Sequence, residues 1–379
     1  MTSEKAPQAR LWLIDFVRQK SLLLVLLSHL SLSPFTKDLH IHWALINNGK
    51  NAVSLFFVVS GFVIARTVAA RSGSLERINV RNFYIMRIAR IVPLIAVVCL
   101  VGATLSAFPN TQIGGISWTL GHTTLLFWVT MLTFTFNWLL CLNSMQYALF
   151  WDIFWSLSME EQFYFLGPWI AKVSRSEKTL VWILLGVIVL SPVARIIGES
   201  LHLASPTFST FYATDLMAFG VLLHLALQRF GSALKEKQPL CVALLIGGLV
   251  ALITVLAWRE RGLEYRIVYP SAIGVSLFTF LLGGLSIPRI QKCPRPMVFG
   301  GELSYGGYLW HPLILGLVGG WTKHMTFPLA ALVFTIATLG FAFISYEFYE
   351  KPLNSWIRKS LLRKGTSEAN AAPSVVPAS

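Results

Sequence analysis

The chain has 379 residues, of which 55% are hydrophobic and only 13% charged. A soluble domain carries roughly 25% charged residues, so a water-facing globule of this length is ruled against, as are disordered, collagenous and disulfide-scaffold chains. The net charge of +14 would suit nucleic acid, but the basic residues sit in short segments between apolar stretches, as in the topogenic loops of a polytopic membrane protein. No nucleic-acid partner is expected, and membrane lipid is the surrounding medium. Cys99, Cys141, Cys241 and Cys293 show no zinc or C-x-x-C spacing, and no metal site is expected.

Stretches of about 20 apolar residues can cross a bilayer as helices. Eleven candidates follow along the chain: Leu11–Leu32, Ala52–Ala70, Ile91–Phe108, Trp118–Leu140, Asp152–Ala171, Thr179–Ile197, Phe208–Gln228, Leu240–Trp258, Val268–Ser286, Leu303–Trp321 and Phe327–Tyr349. The fold class is therefore all-α, a membrane helix bundle. The first stretch carries Asp15, Arg18 and His29 and does not read as a cleavable signal. Basic clusters lie at 71–90, 172–178, 229–237, 289–295 and 351–364. Placing all of them in the cytoplasm requires an even number of crossings between neighbours. Three candidates separate Arg90 from Lys172, so one of them is expected to be re-entrant or incomplete. Trp118–Leu140, threaded with Thr and carrying His122 and Asn137, is the choice. About ten crossings result, with both termini cytoplasmic. Residues 1–352 form the membrane domain and 353–379 a cytoplasmic tail, disordered after about 364 on composition.

Ionisable groups inside a bilayer are expensive and read as functional by default. In the first stretch Arg18 and His29 are eleven residues apart, about 20° around a helix and about 16 Å along it. Asp15 shares that face. An interfacial Asp15–Arg18 pair with His29 at the opposite headgroup layer is the bland alternative. In FFVVSGFVI, Ser54, Ser60 and Gly61 read as a packing face. In FYIMRIARIVP, Arg87 and Arg90 lie at i,i+3 on an interfacial helix that Pro93 breaks or kinks. They are either topogenic or an anion site, since Arg offers paired donors to phosphate. WSLSMEEQFYFLGP puts Ser156, Glu160 and Tyr164 on one stripe. Its neighbouring carboxylates, Glu160 and Glu161, need a proton, a cation or water. In GGELSYGGYLWHP, Ser304, Tyr308 and His311 share a face, with Gly306 and Gly307 permitting close helix approach. Glu347 and Glu350 in SYEFYEKP suit pairing with Lys351 or Arg90. His40, His42, His202, His224 and His324 are assigned to interfaces. No nucleotide-binding glycine loop or nucleophile elbow is present.

Taken in order, DFVRQKSLLLVLLSH, FFVVSGFVI, RIARIVP, WSLSMEEQFYFLGP, SYGGYLWHP and SYEFYEKP resemble the acyltransferase-3 family of integral membrane O-acyltransferases, over about Leu11 to Pro352. The family's Arg-x₁₀-His spacing falls on Arg18 and His29, and its Arg-x-x-Arg pair on Arg87 and Arg90. The family's opening usually reads Asp-Gly-x-Arg-Gly, and here Phe16 and Gln19 replace both glycines. The resemblance implies transfer of an acyl group, most often acetyl, from acyl-CoA to a hydroxyl of an extracytoplasmic or lipid-linked glycan at the bacterial inner membrane. It implies acyl-CoA as co-substrate and no permanently bound cofactor. On that footing Arg18, Arg87 and Arg90 meet the phosphates of coenzyme A, His29 is the general base and Glu160 a second catalytic group. Asp15 fixes Arg18, and Ser156, Tyr164, Ser304, Tyr308 and His311 support the site. Direct transfer and an acyl-His29 intermediate both stay open. A secondary transporter or flippase, using the same Arg, His and Glu as a substrate or proton path, is the competing class.

Overall fold

A computed structural model describes residues 11–33, 49–107, 112–113, 116–117, 125–142, 149–201, 203, 206–258, 262–288 and 295–371. His40, His42, His122, His202 and Cys293 lie outside them. The described residues are almost wholly helical. In chain order the first helices are α1 (Trp12–Leu32), α2 (Gly49–Ser72) and α3 (Val80–Ser106). Two two-residue strands, Gln112–Ile113 and Ile116–Ser117, pair antiparallel. Then come α4 (Leu125–Leu132), α5 (Phe136–Leu142), α6 (Leu149–Asp152) and α7 (Phe154–Ser174). The second half holds α8 (Glu177–Ser200), α9 (Thr214–Glu236), α10 (Gln238–Ala257), α11 (Gly262–Leu285), α12 (Arg295–Thr322) and α13 (Phe327–Ser345). A π-helical turn, Tyr346–Glu350, leads into α14 (Lys351–Ala371).

Seven of these helices, α2, α3, α8, α9, α10, α11 and α13, are long and apolar enough to cross a membrane. The protein is a multi-pass helical bundle. Large apolar side chains such as Trp182, Val189 and Trp321 stand exposed on it, as a lipid-facing surface requires. Besides α14, three further helices of at least 21 residues, α1, α7 and α12, are too polar to join the seven. They carry Asp15, Arg18 and Lys20, then Glu160 and Glu161, then Glu302 and His311. Their charged and polar faces line interior cavities, described below. In the stretch 118–140 the described part is broken into α4 and α5, of eight and seven residues. Phe134, at φ 55°, makes the turn between them. Neither helix has the length of a spanning segment.

One sequence expectation is corrected at α3. The helix begins at Val80, eleven residues before the expected span, because the Asn79 side chain caps it by accepting the Asn82 N–H at 3.0 Å. It passes through Pro93 without ending. Arg87 and Arg90 therefore ride on a spanning helix and not on a separate interfacial one.

Packing sets the positions of the charged faces. α1 lies between α2 and α12, α2 packs on α9, α12 on α13, and α14 against α3. The α2–α9 seam is backbone on backbone. A Cβ on Gly220 would collide with the Val58 carbonyl oxygen, and one on Gly61 with that of Met217. These are backbone atoms that cannot swing aside, so Gly220→Leu is expected to separate the helices and lower the thermal midpoint of the purified protein by several degrees, at about 1–3 kcal/mol for overpacking.

Candidate active site

The polar faces of α1, α3, α7 and α12 converge on an interior chamber of about 80 Å³. Arg18, Arg87 and Arg90 enter it beside Glu160 and Glu161, so three cations face two carboxylates. That arrangement answers how two adjacent acids sit within the bundle: they share a cavity with cations. Within α7 the hydroxyl of Tyr164 donates to Glu160, one turn earlier. The guanidinium of Arg87 lies over the Tyr164 ring, 4.6 Å from its centroid, so α3 and α7 are tied by a cation–π contact. Farther in, Ser156 Oγ and Tyr308 Oη are 2.7 Å apart, joining α7 to α12. Ser304, fully buried, lines the same chamber and donates to the Gly301 carbonyl at 2.9 Å. Ser60 also lines it. The reading of Ser60 as a pure packing residue is therefore corrected, whereas Ser54 is buried as a packing residue should be.

A second, larger cavity of about 510 Å³ adjoins the first. Arg18, Arg90 and Tyr305 line both, so the three side chains stand between an outer vestibule and the inner chamber. Asp15, 5% exposed, lies beside Arg18 and Arg90 in a third cavity, of about 180 Å³, and packs against α12 at Gly301, where a Cβ would strike its carboxylate.

His29 sits beyond the chamber and does not line it. Its ring lies edge-on to that of His311, with centroids 4.7 Å apart, and His311 lies 5.6 Å from Tyr308. The shared helical stripe thus holds, but Tyr308 and His311 fill the space between the Arg18 cavity and His29. A helical-wheel argument places residues on a face and cannot see which neighbours occupy it. Both imidazoles are oriented alike. His29 Nδ1 lies 2.9 Å from the Val25 carbonyl, and His311 Nδ1 2.6 Å from that of Tyr308. A carbonyl only accepts, so each Nδ1 carries the proton and each Nε2 keeps its lone pair. His311 Nε2 is buried with no hydrogen-bond partner among the described residues.

Several polar residues fall differently from their sequence assignment. His224 is buried in α9 against Phe62, with ring centroids 6.1 Å apart, and is not interfacial. His324 is exposed. Glu347 pairs with Lys351 at 2.9 Å, while Glu350 accepts from Ser345 at 3.1 Å and lines the vestibule with Arg90. Gln162 was not singled out, yet it donates to the Phe134 carbonyl at 2.6 Å and to Asn137 at 2.9 Å, and accepts from Thr210. It pins the α4–α5 turn to α7. No group of three or more His, Cys, Asp or Glu able to hold a metal occurs among the described residues.

Residues 12–347 match an acyltransferase domain family. The chain belongs to the acyltransferase-3 family. Among curated members of known name, it is 26% identical over 372 residues to the peptidoglycan O-acetyltransferase of Listeria monocytogenes, covering 90% of this chain and 55% of that one. A Bacillus subtilis protein provisionally named as a peptidoglycan O-acetyltransferase is 26% identical over 363 residues, 88% of this chain and 54% of its own length. A Staphylococcus aureus protein provisionally named as an O-acetyltransferase is 23% identical over 363 residues, 89% of this chain and 57% of its own. The chain spans about half the length of these relatives. No solved structure matches. The acyltransferase-3 match ends at 347, so α14 lies outside it while still walling the vestibule.

Proposed function

We propose that the protein is a membrane-bound O-acyltransferase that moves an acyl group, acetyl in the first instance, from acyl-CoA to a hydroxyl of an extracytoplasmic glycan. The names of the relatives favour peptidoglycan as the acceptor class. In this reading the vestibule opens to the cytoplasm, both termini are cytoplasmic, and the membrane is the bacterial inner membrane. The observation that carries the reading is that Arg18 and Arg90 line both the vestibule and the chamber. Tyr308 at the chamber wall leads on through His311 to His29, with ring centroids 5.6 and 4.7 Å apart. Coenzyme A enters thioester first, and Arg18, Arg87 and Arg90 hold its phosphates. His29 Nε2 takes the proton from the acceptor hydroxyl as its oxygen attacks the thioester carbonyl. The C–S bond then breaks, and the proton passes from the imidazolium to the departing thiolate, giving an ester and free thiol. In this reading the paired hydroxyls of Tyr308 and Ser156, which line the chamber, stabilise the charge that gathers on the carbonyl oxygen.

The deciding experiment supplies purified protein in lipid discs with acetyl-CoA and soluble peptidoglycan fragments, without any ion gradient. Acceptor-dependent thiol release, with an acetyl ester on the glycan by mass spectrometry, is expected. A transporter would consume no acetyl-CoA. Rapid quench with labelled donor should find no acyl-protein if transfer is direct.

Glu160 accepts the Tyr164 proton and faces the three arginines. Glu160→Gln is expected to lower kcat by about ten- to hundredfold, the worth of a hydrogen bond to a charged group. An unchanged kcat at saturating donor would remove Glu160 from the mechanism.

A further inference from the structure

We infer that the polar face of α14 binds the outermost phosphate of the CoA donor, its ribose 3′-phosphate, and so completes the site from outside the family-matched region. The inference rests on the acyl-CoA reading above. Five α14 side chains line the vestibule: Lys351, Asn354, Ser355, Arg358 and Lys359. Their spacing is i, i+3, i+4, i+7, i+8, one face of a helix. Trp356 and Leu361 lie off that stripe and are exposed, as on an interfacial helix whose apolar side meets lipid.

The charge of the cavity is unbalanced. Arg18, Arg90, Lys351, Arg358 and Lys359 face only Glu302 and Glu350. Lys351 is already paired with Glu347, outside the lining. Arg358 Nε is buried with no hydrogen-bond partner among the described residues. An excess of cations in a partly enclosed space, with a guanidinium donor left unused, suits a multiply charged oxyanion, and a phosphate monoester carries close to two charges at neutral pH. Order along the donor then assigns the phosphates. With the thioester in the inner chamber, the diphosphate falls near Arg18 and Arg90. The nucleotide end, with its monoester, is left in the vestibule against Arg358 and Lys359.

The test compares acetyl-CoA with acetyl-3′-dephospho-CoA, using the full chain in lipid discs. The wild type is expected to show a KM about tenfold lower for acetyl-CoA, as one charge-assisted contact gives. In Arg358→Gln/Lys359→Gln the ratio of the two KM values should fall close to one. Lys359 is exposed, so Lys359→Gln alone tests the same point without threatening the fold, with a partial fall in the ratio. Competition by adenosine 3′,5′-bisphosphate against adenosine 5′-phosphate should lose its preference in parallel. A ratio unchanged in the variants overturns the inference. So does an effect confined to discs of anionic lipid, which would assign the stripe to headgroups. Failure of the wild type to consume acetyl-CoA at all would instead overturn the acyl-CoA reading.

Discussion

His29→Ala is expected to reduce acyl transfer by about 10²–10⁴-fold, the usual contribution of a positioned general base, while the protein still inserts and folds. The ring is only partly buried, and its one recorded hydrogen bond is to its own helix, at Val25. Removing it leaves no partner side chain stranded. Added imidazole should restore part of the rate, since it supplies the same lone pair. Near-normal ester formation by the variant, measured on acceptor glycan, would refute the role. His311→Ala separates the two rings. His311 is fully buried and contacts both Tyr308 and His29, so its loss should lower the thermal midpoint as well as the rate, whereas His29→Ala should lower the rate alone.

Asp215→Ala is expected to cost about 3–5 kcal/mol, because it leaves a buried guanidinium without its counter-charge. Arg195 reaches from α8 to Asp215 Oδ1 at 2.6 Å, with both side chains at most 2% exposed. It also donates to the Tyr212 carbonyl at 2.8 and 3.1 Å, the Ile267 carbonyl at 2.9 Å and Ser271 at 2.8 Å. Ser271 in turn donates to Asp215 Oδ2 at 2.6 Å. The node ties α8, α9 and α11 and lines none of the three cavities. Thermal unfolding in detergent should therefore drop sharply for Asp215→Ala and recover substantially in Arg195→Met/Asp215→Leu, where no charge is left behind. Equal instability of the two variants would show that geometry, and not the unpaired charge, carries the cost. A folded fraction of Asp215→Ala should retain its KM for donor.

The Arg195–Asp215 node shows what a reading of local sequence misses. The rule that singles out Arg18, an ionisable group in an apolar stretch, applies equally to Arg195 within 179–197 and Asp215 within 208–228. Applied evenly, it would have found both. The rule could not tell them from Arg18, because a structural pair and a wet functional cation look the same until their neighbours are known. Gln162 and Tyr305 lie within quoted motifs but carry no charge or helical stripe to single them out: one is an amide, the other one more Tyr in an aromatic-rich chain.

Sequence alone determined the class of the molecule and picked out many of the side chains that the candidate site brings together. Apolar length forces helices across lipid, since each backbone group must be satisfied within its own segment. Helical spacing puts Ser156, Glu160 and Tyr164 on one stripe, and Ser304, Tyr308 and His311 on another. Tertiary packing alone decided which stripes meet. It ran α3 through Pro93 so that Arg87 and Arg90 face the chamber, and it set Tyr308 and His311 between Arg18 and His29. It also folded the stripe of α14 over the vestibule. Spacing fixes an angle about one helix axis, whereas a cavity is fixed by the distances between several axes, and those depend on every side chain packed between them.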